Sequence, residues 1–231
     1  MATQNFDQIN ILKRRSIPYE EYFADMQISD KQKKQRRELA YLLEDILIIY
    51  FMLLRDAPSI SSVKVVANQN LMYDLYEVVD KGKYFGDIED EETEARIDDY
   101  VTNLVDEISK ATEKNLEEFP NDYDYTGTEN YWVSDDRAKF IAEDQANTLC
   151  NSFDYNEAKA KGKTHKIWMA YGDDHVRPTH EQANGSKVPI DDYFSVGAAQ
   201  MLYPKDVTSI FSTGAAHPEE VISCRCAVKY V

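Results

Sequence analysis

The first 149 residues contain no cysteine and no histidine. These side chains most often do acid–base, nucleophilic or metal chemistry, so their absence moves any such chemistry to the last third. There, all three cysteines and all four histidines lie between Cys150 and Cys226. An odd number of cysteines, two of them one residue apart, does not form a secreted disulfide framework. Long hydrophobic runs are missing too. The longest, Ile46 to Leu54, falls far short of the roughly 20 residues that span a bilayer, and it reads as a segment of a buried helix. The polar start, Met1 to Asp7, has no signal-peptide pattern. Positive charge is scarce: 26 Lys and Arg face 42 Asp and Glu, a net charge of −16. Such a chain is a poor ligand for nucleic acid, which is held by neutralising phosphates. The charge suits solubility and a partner with a positive surface. The one dense basic run, Lys31 to Arg37, is expected to be a solvated helix turn. There is no Gly-rich phosphate loop, nucleophile elbow, HExxH or EF-hand pattern. A soluble protein made in the cytosol, with no membrane partner, is expected.

What is present is enough for a sizeable core: 231 residues, 43% hydrophobic and 12% aromatic. A short helix, a break at Pro18 and a second helix are expected over 1–28. Ser29 or Asp30 can cap a long helix that ends before Pro58. Its apolar residues, Leu39, Leu42, Leu43, Ile46, Leu47, Tyr50, Phe51 and Leu54, cover much of the circumference, which marks a central helix. One more helix is expected around Asn68 to Asp80. From the acidic stretch Asp87 to Glu94 onward, Ile97, Val101, Leu104, Ile108, Ala111 and Asn115 alternate at spacings of four and three, an amphipathic helix that Pro120 ends. It is expected to pack against the Leu39–Leu54 helix; pairing with another chain as a coiled coil is the alternative. The polar, tyrosine-rich stretch 121–131 reads as a linker between a helical docking region (1–120) and a C-terminal domain (132–231). Ser134 caps a helix from Asp135 to about Asn151, followed by Tyr155 to Lys161. After Gly162 come an alternating strand, His165 to Tyr171, a loop-rich stretch punctuated by Gly and Pro, and a closing strand from Cys224 to Val231. The fold class is α+β: a helical N-terminal half, then a loop-rich α+β domain with a small sheet.

Two groups of residues could carry chemistry. Cys224 and Cys226 flank Arg225, and on a strand the two sulfurs would share one face. Three readings stand side by side. Two thiolates with two of His165, His175, His180 and His217 would complete a zinc site, although chelating pairs usually leave two to four residues between them. The pair could be redox-active, at the cost of a strained disulfide. Or each cysteine is a small buried hydrophobe. In the second group, Pro178 opens a helical turn that would point Arg177 and His180 the same way. The two could hold a phosphate or carboxylate, or serve a nuclease-like or nucleotide-transferring enzyme together with Glu143 or Glu220. Alternatively, Arg177 pairs with Asp173 or Asp174 and orders the loops.

Taken in order, Arg137-Ala138, Ile141-Ala142-Glu143, Lys166-Ile167-Trp168, Asp174-x-x-Arg177-x-x-His180, Asn184-Gly185, Val188-Pro189-Ile190-Asp191, Phe194, Tyr203-Pro204-x-Asp206 and Glu220-x-Ile222-Ser223-Cys224-Arg225-Cys226 form a series. This series resembles the phage Mu F-like, or phage head morphogenesis, family over about residues 137–231. The resemblance implies a minor protein of a phage head, located in the virion, associated with the portal protein or other head proteins, and acting in head assembly and DNA packaging or delivery. Self-association is a further expectation, and the net charge speaks against contact with packaged DNA. It implies no enzyme, no catalytic residue and no obligatory cofactor. Trp168, Asp174, Arg177, His180 and Arg225 become structural residues of the motif, while Cys224, Cys226 and His180 are the candidate zinc ligands. This chain has Ser223 where the family often has asparagine.

Overall fold

A computed structural model describes residues 17–56, 61–86, 91–124, 127, 129–172 and 176–231. The helix expected before Pro18, and Asp173, Asp174 and His175, lie outside the described residues.

A short helix α1 (Tyr19–Tyr22) follows Pro18 and places Tyr19, Tyr22 and Phe23 in the interior. Helix α2 (Asp30–Asp56) begins with a reciprocal cap. Ser29 Oγ accepts from the Gln32 amide at 3.3 Å, and Gln32 Oε1 accepts from the Ser29 amide at 3.1 Å, which satisfies two amides that have no partner within the helix. Its inner face is Leu39, Leu43, Leu47, Tyr50, Phe51 and Leu54. Leu42, expected inside, is 48% exposed. The stripe at spacings of three and four already faces the neighbouring helices, and Leu42 falls beside it. The basic run is likewise not all solvated, because Arg36 has no exposed surface.

Helix α3 (Ser61–Lys81) starts seven residues before the expected Asn68 and buries Ala67, Leu71, Leu75 and Val79. Helix α4 (Glu91–Glu118) carries three glutamates in its first turn, where they complement the helix dipole. It buries Ile97, Tyr100, Val101, Leu104, Val105, Ile108 and Thr112. Its main helical neighbour is α3, not α2 as expected. Helix α2 gives its largest contact to α5 (Asp135–Ala160) instead.

Helix α5 is one continuous helix where two were expected. Asn147, Asn151 and Asp154 are short polar side chains, which can compete with the helix backbone. Here those side chains bind a partner across the interface, so they do not compete. The two ends of the expected linker are joined: Tyr131 N–H donates to the Asp122 carbonyl at 2.7 Å, and Trp132 Nε1 donates to Asp122 Oδ2 at 3.0 Å.

Strand β1 (His165–Met169) pairs antiparallel with β2 (Lys187–Pro189) and with β5 (Ala227–Tyr230), in the order β2-β1-β5. Between them lie helix α6 (Pro178–Ala183), the hairpin β3 (Phe194–Val196) and β4 (Ala199–Met201), and helix α7 (Pro218–Val221). The closing strand starts at Ala227, so Cys224 and Cys226 stand in the turn before it rather than on it. Ser223, with φ of 57°, provides the left-handed step that makes this turn.

Two apolar clusters form the interior. The first joins α1 through α5 and takes in Tyr171 and Ala227. The second lies under the sheet: Trp168, Phe194, Val196, Met201, Tyr203, Val221, Cys224, Cys226 and Val228. Helix α5 contributes to both, Leu149 and Cys150 to the first and Tyr155 and Ala158 to the second.

Candidate functional site

Pro178 stands at the first position of α6, where its missing N–H costs nothing. This short helix turns His180 inward until only 2% of it is exposed. Its Nδ1 lies 3.3 Å from Cys226 Sγ and 3.5 Å from Cys224 Sγ. On the opposite side of the ring, Nε2 lies 3.0 Å from Glu220 Oε2, which also accepts from Thr179 Oγ1 at 2.8 Å. The indole of Trp168 stands edge-on to the imidazole, with centroids 5.7 Å apart. Among the described residues, His180, Cys224 and Cys226 are the one set of three metal-type donors gathered within 4.8 Å, and all three are buried.

The two thiols are driven apart electrically. Burial pushes Cys224 up, but hydrogen bonds with Cys226 and His180 outweigh it and hold this thiol well below its ordinary value. The bond to Cys224, with burial, holds Cys226 well above. For His180, burial favours the neutral ring, yet the adjacent Cys224 sulfur raises its pKa.

The turn carrying the cysteines is fixed from several sides. Asn147 Nδ2 donates to the Cys224 carbonyl at 2.9 Å, and Asn151 Nδ2 to the carbonyls of Pro204 at 3.1 Å and Cys226 at 3.4 Å. Arg36 holds the same two amides from behind, with Nε donating to Asn147 Oδ1 at 3.0 Å and Nη2 to Asn151 Oδ1 at 2.9 Å. It also pairs with Asp154 at 2.9 Å. Asp144 accepts from the Ser223 amide at 2.7 Å and from the buried Lys205 ammonium. Arg225 turns away from the sulfurs and stacks on Tyr171, 3.7 Å from the ring centroid, with Tyr22 at 5.4 Å. Arg137 is buried at the start of α5, sandwiched by Phe51 and Trp132, and reaches Thr112 Oγ1 at 2.6 Å and the Ile108 carbonyl at 3.3 Å on α4.

The family model for Phage Mu protein F like protein matches residues 98–229, more than half of the chain. The chain belongs to this family. The Mu F-like match reaches back to most of α4, well before residue 137, where the motif series begins. The Arg137 contacts to Ile108 and Thr112 give the physical reason, since the first turn of α5 is built against α4. Mu F-like proteins are a phage head morphogenesis family, which makes this chain a phage head protein by membership. No curated protein and no solved structure matches it. Among the described residues, no helix is long and apolar enough to cross a membrane.

Several expected site residues of the Mu F-like motif are brought together: Trp168, His180, Cys224 and Cys226. Arg177 is not. Its Nη2 donates to the Ile222 carbonyl at 2.6 Å, while His180 points into the interior, so the two do not present a joint anion pocket. His217 pairs with Glu219 and His165 with Thr164. Glu143 is buried where its charge bears on Tyr19. The Arg36–Asn147–Asn151–Asp154 network was missed. Its sequence signal was a polar stripe at positions 147, 151 and 154, spaced at four and three along one helix face.

Proposed function

We propose that this chain is a minor head protein that acts as an adaptor in phage head morphogenesis, docking by its N-terminal helices on the portal or a neighbouring head protein. It is carried in the virion after synthesis in the host cytoplasm, and it serves packaging or delivery of DNA without holding the DNA itself. Family membership supports the head role. The observation that carries the docking role is the outer surface of α2 and α3. Leu42, Ile49 and Met52 on one helix, and Val65, Val66 and Tyr73 on the other, are about half exposed or more. Each set recurs near the heptad spacing that keeps residues on one side of a helix. Large apolar side chains in rows are what a helical interface presents to a partner. The net charge of −16 supports a basic partner surface and opposes binding to packaged DNA. Burial of His180 on both sides of its ring argues against acid–base catalysis, which needs a path to substrate.

The test is incorporation. Phage carrying Ile49→Asp with Tyr73→Asp should assemble heads lacking this protein, while the purified variant melts within a few degrees of the parent. Full incorporation of the variant would remove the docking surface. Absence of the unaltered protein from virions would remove the head role.

A further inference from the structure

We propose that His180, Cys224 and Cys226 form a metal site for zinc(II), a structural centre that pins helix α6 to the turn before β5. It does not depend on which head protein the chain docks against.

Three observations converge on it. The first is spacing. In a tetrahedral zinc site with Zn–S near 2.3 Å and Zn–N near 2.05 Å, the nitrogen and sulfur ligands stand about 3.6 Å apart. The imidazole Nδ1 stands 3.3 and 3.5 Å from the two sulfurs, with the whole set inside 4.8 Å. The second is the far side of the ring. A ligating histidine commonly gives its other N–H to a carboxylate, which orients the ring and makes the ligating nitrogen more basic. Glu220 stands there at 3.0 Å, itself held by Thr179. With the Nε2 proton directed to Glu220, the Nδ1 position is aimed between the sulfurs. The third is the turn. The Cys226 amide donates to Cys224 Sγ at 3.4 Å, a bond that favours a thiolate. The left-handed Ser223 lets two cysteines separated by one residue bring both sulfurs to one nitrogen.

The other readings fit less of this. Cysteines acting as plain hydrophobes do not account for a histidine and a glutamate buried with them. A nucleophilic cysteine with histidine and glutamate behind it would need access, and none of Cys224, Cys226 and His180 is more than 3% exposed. A disulfide between cysteines one residue apart is strained. Two thiolates and an imidazole form a soft donor set, suited to zinc among the abundant divalent ions. His180, Cys224 and Cys226 supply three of the four positions of a tetrahedral zinc, and their burial keeps substrate from the fourth.

The test uses the full chain purified without added metal. Elemental analysis should find close to one zinc per chain. After chelation, cobalt(II) should bind with a thiolate-to-metal charge-transfer band, and zinc should displace it and restore the melting temperature. Because His180→Ala or Cys226→Ser could simply unfold the chain, Glu220→Gln is the second variant. It should fold and hold metal about 10–100-fold more weakly. Less than half a zinc per chain, together with no cobalt band from a chelated chain whose circular dichroism is unchanged, would overturn the site. A Cys224–Cys226 disulfide in freshly purified protein would overturn it as well.

Discussion

The side-chain amide of Asn147 donates to the main-chain carbonyl of Cys224 at 2.9 Å. The bond ties the middle of α5 to the turn that carries both clustered sulfurs. Since Asn147 also accepts from Arg36 on α2 at 3.0 Å, the helical half and the sheet-bearing half meet through one amide. A contact of this kind specifies geometry more than it adds stability, because each buried polar group must find its partner or incur the desolvation cost.

Removing Arg36 should therefore be among the most damaging single changes. Arg36→Ala leaves Asp154 as an unpaired buried charge and two amide oxygens unsatisfied, a loss of roughly 3–5 kcal/mol. Arg36→Met combined with Asp154→Leu removes both charges together and should lose much less. Urea midpoints of the two variants measure the difference. A single variant within about 1 kcal/mol of the parent would show that the network contributes little.

Lys166 should impose a pH dependence of its own. It is fully enclosed, its ammonium has no hydrogen-bond partner among the described residues, and the rings of Tyr155 and Phe194 lie 5.2 Å away. Burial lowers its pKa from 10.5 to about 8. Between those two values the unfolded chain binds more protons than the folded one, so this residue makes stability rise with pH there. Its cost is present in full below the folded value and fades toward the unfolded one. Lys166→Met should accordingly stabilise the protein by about 1–3 kcal/mol near neutral pH, with the gain shrinking as pH approaches 10.5. Thermal melts of both proteins across that range would decide it, and a gain that does not vary with pH would contradict the assignment.

Arg225 should matter through its stack and not through the sulfurs. Its guanidinium lies on Tyr171, with Tyr22 of α1 next to it. Loss of a partly desolvated cation–π contact costs about 1–2 kcal/mol, so Arg225→Ala should lower stability by that amount and loosen α1. Hydrogen exchange at Tyr22 and Phe23 reads the loosening directly. Arg225→Lys should recover part of the loss, because the charge survives but the flat stacking face does not.

Much of this architecture was legible as periodicity. The amphipathic pattern from Ile97 to Ile108, the capping residues Ser29 and Ser134, and the alternation from His165 all became the elements they indicated. What was not legible depended on long-range pairing. Two helices were expected where one runs, and the partner that holds Asn151 and Asp154 inside the continuous helix, Arg36, lies more than a hundred residues earlier. The position of Cys224 and Cys226 followed the same rule. A closing strand was expected from Cys224 onward, whereas the left-handed Ser223 and the bond from its amide to Asp144 make a turn. The cluster of His180 with both cysteines was among the readings the residue types allowed. The part of Glu220 as the support for Nε2 came from folding, which brings α6 and α7 together across forty residues of chain.

Gly197 should be irreplaceable for a reason that links the hairpin to the histidine. Its φ is +56°, and a Cβ placed there would stand 2.0 Å from Glu220 Oε1 and 3.1 Å from the Thr179 methyl. Gly197→Ala therefore adds a collision to backbone strain and must push the carboxylate away from His180. Gly185→Ala is the control: φ is +78° and nothing lies within 4 Å of the added carbon, so only the strain remains. The control should lose about 1–2 kcal/mol, and Gly197→Ala clearly more. The excess should fall when Glu220→Ala is added, because the colliding group is then gone. A double-mutant cycle on chemical denaturation measures this coupling. Equal losses at the two glycines, or no coupling to Glu220, would mean that the hairpin does not position the carboxylate behind His180.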